Sequence, residues 1–157
     1  MIRRIHLLAA LLAVVTIATF WLSTAFSELF GSTDLVVSVK TAIPWGLLVL
    51  IPALAVAGGT GMRLGKNHTN PLVVGKKRRM PIIASVGLVV LVPSALFLAR
   101  KAEQREFDTA FYIVQAIELT AGALNLMLLS LNFRDGLRVS GRALRARESE
   151  ARARSPR

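Results

Sequence analysis

The amino-acid sequence predicts an all-α integral membrane protein, a bundle of four transmembrane helices with both termini in the cytoplasm. Three observations predict it. The chain has 157 residues, 54% of them hydrophobic, and these are gathered into four blocks instead of recurring at helix or strand period. Each block holds roughly the 20 residues that a helix needs to cross a bilayer core. The Lys and Arg residues collect on one set of connections between the blocks.

The spans are expected at about 5–26, 41–62, 80–99 and 110–131. None carries Lys, Arg or Asp in its interior, and only the fourth carries an acid. Hydrocarbon offers no partner to backbone N–H and C=O groups, so each block should be a helix. Pro44 is expected in the first turn of the second span, where proline is tolerated. Pro81 starts the third, and Pro52 and Pro93 lie deeper, where they should bend their helices. The opening MIRRIH and the apolar run after it resemble a signal peptide, with Ser23-Thr24-Ala25 as a possible cleavage site. The run is too long for a signal core, and Trp21 and Phe26 suit an interfacial girdle, so a retained helix is expected.

Orientation follows from charge. The N-terminus, the loop between spans two and three, and the tail hold sixteen basic residues; the other connections hold four, Lys40, Arg100, Lys101 and Arg105. The basic side is expected to be cytoplasmic. The run Lys76-Lys77-Arg78-Arg79 before the third span is expected to lie on anionic lipid headgroups. The net charge of +11 has the same explanation, and no aromatic-basic motif points to nucleic acid. Residues 1–135 are expected to form the membrane domain and 136–157 a basic, partly ordered cytoplasmic tail interrupted early by Gly136 and Gly141.

The fourth span carries the one intramembrane constellation. Gln115, Glu118, Gly122 and Asn125 follow spacings of three, four and three, and Asn132 continues the line. At 100° per residue these positions share one face, opposite Ile113, Ile117, Leu124, Met127 and Leu131. Unpaired polar groups in hydrocarbon cost several kcal/mol, so this seam should face the bundle interior. Glu118 would lie roughly 12 Å deep at 1.5 Å per residue. No cation is expected at that depth, so the carboxyl is expected neutral, beside Gln115, Thr16, Thr19, Ser85 and water. Such a seam is either interhelical glue or a proton or substrate site.

In the second span Ala53, Ala57, Gly61 and Gly65 recur every fourth residue, a stripe that lets helices pack closely within one bundle or between copies. Gly58-Gly59-Thr60 lacks the Gly-Lys-Ser/Thr ending of a phosphate loop. The only histidines, His6 and His68, both map to the cytoplasmic end and could ligate a b-type haem; no other cofactor or metal pattern is present. With no cysteine and no nucleophile–base motif, enzymatic activity is not expected.

Four spans with one membrane carboxylate, Glu118, resemble the small multidrug-resistance transporters. That family carries its acid in the first span, on a shorter chain without a long basic tail, so its function is not carried over. Arginine-rich composition and compact loops suit a bacterial inner membrane. The expected role is a structural or accessory membrane subunit, contacting headgroups and a membrane partner or a second copy. The alternatives are a small transporter or proton-coupled channel using Glu118, and a haem b electron carrier using His6 and His68.

Overall fold

The computed structural model describes residues 1–65 and 71–154, with side chains described throughout except at 71–74, 76–77, 139–140 and 142–154. Among these residues the chain is helical almost throughout: α1 (Ile2–Phe30), α2 (Thr33–Gly65), α3 (Pro71–Ser85), a π-helical segment (Val86–Leu91), α4 (Val92–Glu103) and α5 (Thr109–Arg154). Four stretches are long and apolar enough to cross a bilayer: α1, α2, residues 78–103 and residues 109–138. Four such helices are compatible with a small multi-pass membrane protein.

The helices overrun their expected limits, and the overruns matter. Only Gly31 and Ser32 separate α1 from α2. The Ser32 hydroxyl accepts the Leu35 N–H at 3.3 Å and starts α2 there, eight residues before the expected edge. The apolar run 35–39, outside the expected spans, is therefore helix. Pro44 moves from a first turn to the interior of α2, where it joins Pro52. Each withdraws one amide from the ladder, Pro44 from the Lys40 carbonyl and Pro52 from the Leu48 carbonyl.

The third span is wound differently on either side of Pro93. Having no N–H, Pro93 cannot close an α-turn onto Val89, and the chain before it takes five-residue closure. The Val92 N–H reaches back to the Gly87 carbonyl. The final helix corrects the expected tail. Gly136 and Gly141 do not interrupt α5, which runs unbroken to Arg154. Each glycine costs about 1 kcal/mol of helix propensity. The sequence beyond them is rich in Ala, Arg and Glu, which favour helix.

α1 packs along α2, and α2 along α4; α5 closes the bundle against α1, α3 and α4, while among the described residues α2 makes few contacts with α3. The main core joins Ala13, Ile17, Ile43, Leu47, Leu50, Ala53, Ile83, Ala95 and Leu129 from all four spans. A second cluster, Val36, Leu98, Ala102 and Phe111, caps the end opposite the termini. Close approaches are set by glycine. A Cβ on Gly46 would overlap the Phe20 ring, and one on Gly122 would stand 2.9 Å from Trp21 Cδ1. Trp21 Nε1 then donates to the Leu119 carbonyl at 2.9 Å, tying α1 to α5.

The α4–α5 connection is a charged clasp. Lys101 donates to Glu106 at 2.7 Å and Asp108 at 2.9 Å; exposed Arg105 meets Asp34 at 2.6 Å. Asp108 also accepts the Phe111 N–H at 2.9 Å, capping α5. The Lys101 hydrogen bond, then the Phe111 amide, hold the Asp108 carboxyl below the usual carboxylate range. A depressed carboxylate adds stability that is fully present above its unfolded value, near 3.9, and fades as pH falls through the lower folded value. Asp108→Asn, which can still cap, is expected to leave thermal unfolding near pH 7 only slightly lowered and to flatten its acid limb below about pH 4. Gly122→Ala is expected to destabilise by about 1–3 kcal/mol through overpacking against Trp21, measured as a lowered Tm in detergent.

Candidate functional site

On α5 the side chains of Gln115, Asn125 and Asn132 are buried, and Glu118 is 13% exposed. Ile113, Ile117, Leu124 and Met127 on the opposite face are all exposed by about half. The spacing of these residues places them so: they share a helical face, and α5 turns that face to the other helices.

The expectation of a lone acid is wrong. Lys40, assigned to an outer connection, lies in α2 with no exposed surface, and its Nζ donates to Glu118 Oε2 at 2.5 Å. The cause is the early start of α2. Once residues 33–39 are helical, Lys40 falls in line with buried Val36, Ile43, Leu47 and Leu50. It stands seven residues into α2, and Glu118 nine into α5, roughly 10 and 14 Å from that end of the bundle at 1.5 Å per residue. The other expected partners do not join them. Thr16 and Thr19 donate to carbonyls of their own helix, and Ser85 is exposed.

A third ionisable group lies near the pair. Glu28, near the end of α1, is within electrostatic reach of both Lys40 and Glu118. Its buried Oε1, both amide atoms of Gln115 and Oδ1 of Asn125 lack hydrogen-bond partners among the described residues. One lysine thus faces two carboxyl groups at one end of the interior. Sequence reasoning missed Glu28 because it was placed in a loop.

At the opposite end Arg79 reaches Asp135 at 2.8 Å and Asn132 at 3.5 Å, and Asn132 Nδ2 lies 3.4 Å from Met80 Sδ. Arg79 therefore differs from the rest of the expected headgroup run. It joins α3 to α5, whereas Arg78 is exposed. The side chains of Lys76 and Lys77 lie outside the described residues. In the small-residue stripe, Ala53, Ala57 and Gly65 are buried and Gly61 is partly so. The His6 ring rests on Gly61, where a Cβ would stand 3.1 Å from Cε1. His6 Nδ1 lies 3.0 Å from the Ala57 carbonyl and from the Thr60 hydroxyl. A carbonyl only accepts, so the proton sits on Nδ1. His68, the other expected haem ligand, lies outside the described residues.

Between these polar ends runs a cavity of about 560 Å³. Its walls come from all four spans: Ile17 and Phe20 of α1, Leu47 to Gly65 of α2, Met80 to Ala95 of the third span, and Leu129 of α5. The lining is aliphatic and aromatic except for Glu118, Asn125 and Thr24, with His6 at the far end and the Trp21 indole on one wall. Where α2 and α3 separate, Ile51, Met62 and Leu88 line the space and are themselves exposed. No known family, curated protein or solved structure matches the chain.

Breaking a buried pair strands its partner, at about 3–5 kcal/mol, whereas replacing both members can be neutral. Lys40→Met is expected to destabilise on that scale, and adding Glu118→Leu to restore most of the loss. A double-mutant cycle by thermal unfolding in detergent measures the coupling.

Proposed function

We propose that the chain is a non-enzymatic accessory protein of the cytoplasmic membrane, with both termini inside, that holds a lipophilic molecule between its helices. The observation that carries this reading is the long apolar cavity, walled by all four spans and flanked by exposed apolar residues where α2 leaves α3. In water such a space would collapse or stay dry. In a bilayer it adjoins hydrocarbon, and an empty wall forfeits dispersion contacts that a chain inserted from the side restores. Few polar groups in a largely apolar pocket are the usual composition of a small-molecule site.

The ion pair supports binding over proton conduction. Lys40 compensates Glu118, and the stretch from Asn125 to His6 offers no continuous polar path along the cavity. Proton-coupled transport through Glu118 remains the second reading, favoured by the unpartnered Glu28 oxygen beside the pair. It requires that Glu118→Gln abolish a measured flux.

Both Trp residues serve the test, since Trp45 is 75% exposed and Trp21 lines the cavity. In Trp45→Phe protein reconstituted with brominated-chain lipids, Trp21 fluorescence is expected to be strongly quenched. Ala84→Leu with Gly87→Leu, which fills the wall, is expected to halve that quenching at least. Unchanged quenching in the filled variant rejects an occupied cavity. Reporters fused at Gly31 and Gln104 are expected outside, and one at the C-terminus inside, as the arginine bias requires.

A further inference from the structure

The geometry points to a ligand with a flat, uncharged, carbonyl-bearing ring on one hydrocarbon chain, the quinone class, its ring held between Trp21 and Asn125. This rests on the cavity reading and names its occupant. The first observation is Asn125. It is 3% exposed, lines the cavity, and neither its oxygen nor its nitrogen has a hydrogen-bond partner among the described residues. The amide N–H groups are left for a ligand acceptor to satisfy. Its Nδ2 faces Gly87, where a Cβ would stand 3.9 Å away, so the amide N–H groups look across the space toward the π segment.

The second observation is the shape of the wall beside it. Gly122 lies three residues from Asn125 on the same face of α5, and the Trp21 indole lies against it. Trp21 Nε1 is already committed to the Leu119 carbonyl, which fixes the ring. A fixed indole beside an unpartnered amide, with glycines at 87 and 122, suits a planar ring that stacks on one and accepts from the other. A charged head does not suit it, because the wall around Trp21, Gly122 and Asn125 is almost wholly apolar.

The third observation is the remaining volume. The cavity of about 560 Å³ is lined by the third span from Met80 to Ala95, roughly 22 Å at 1.5 Å per residue, a length that a hydrocarbon chain can follow. From a ring at Asn125 the chain runs along Leu54 and Leu88 toward the gap between α2 and α3.

The test uses full-length protein in nanodiscs, equilibrated with decylbenzoquinone or with decylbenzene, which has the same tail and no carbonyl. Bound probe above that in protein-free nanodiscs is quantified by chromatography of the organic extract. The quinone is expected to bind roughly three- to tenfold more tightly, the scale of one net hydrogen bond. Asn125→Leu is expected to erase the preference and keep decylbenzene binding. Asn125→Ser, which keeps a shorter polar group, should fall between and guards against misfolding of the leucine variant. Equal binding of the two probes by the wild type, or a preference that survives Asn125→Leu, overturns the assignment of the ring and leaves the cavity reading standing. Binding of neither probe overturns both.

Discussion

The ion pair between Lys40 and Glu118 constrains the rest of the structure. Neither charge is tolerable alone at its depth, and together they are tolerable only if two helices from opposite halves of the sequence meet there. The pair therefore fixes the height of α2 against α5. The apolar cap of Val36, Leu98, Ala102 and Phe111 seals it on one side, and Val36 is one helical turn from Lys40 itself. On the other side the interior turns apolar and opens into the cavity. A second pair, Arg79 with Asp135, joins α3 to α5 near the opposite end. The bundle is thus held by charge toward its ends and left loosely filled in the middle.

This arrangement explains why the interior is neither a tight core nor a pore. Membrane helices gain little from burying apolar side chains against one another, since lipid tails are equally apolar. Close packing is found where glycine permits it, at Gly46 against Phe20, Gly61 against His6 and Gly122 against Trp21. These contacts draw α1 toward α2 and α5, and among the described residues no comparable glycine contact joins α2 to α3.

Four helices were legible in the sequence because hydrocarbon thickness imposes a length and forbids open backbone, and apolar blocks record both. The polar face of α5 was legible for a related reason: residues at intervals of three, four and seven must share a side whatever surrounds them. What escaped was set by helix ends. Ser32 as a cap puts Lys40 inside the bundle, and an edge drawn eight residues late puts it outside. The same late edge moved Pro44 into a first turn, and ending the first span at 26 instead of 30 hid Glu28. Composition also misled at Gly136 and Gly141, where helix-forming neighbours outweigh two glycines. The cavity had no signature in one dimension, because a gap depends on how four surfaces fail to meet.

The π-helical stretch before Pro93 has a dynamic corollary. Five-residue closure is what a helix becomes when it absorbs one surplus residue while its two ends stay in place. Passing a single carbonyl from one amide to its neighbour would slide that surplus along the chain. Each such step would turn the residue it passes by about 100° and leave the flanking turns, up to Ser85 and from Val92, where they are. The wall that holds Gly87 opposite Asn125 is therefore the part of the bundle whose register can change without breaking a helix.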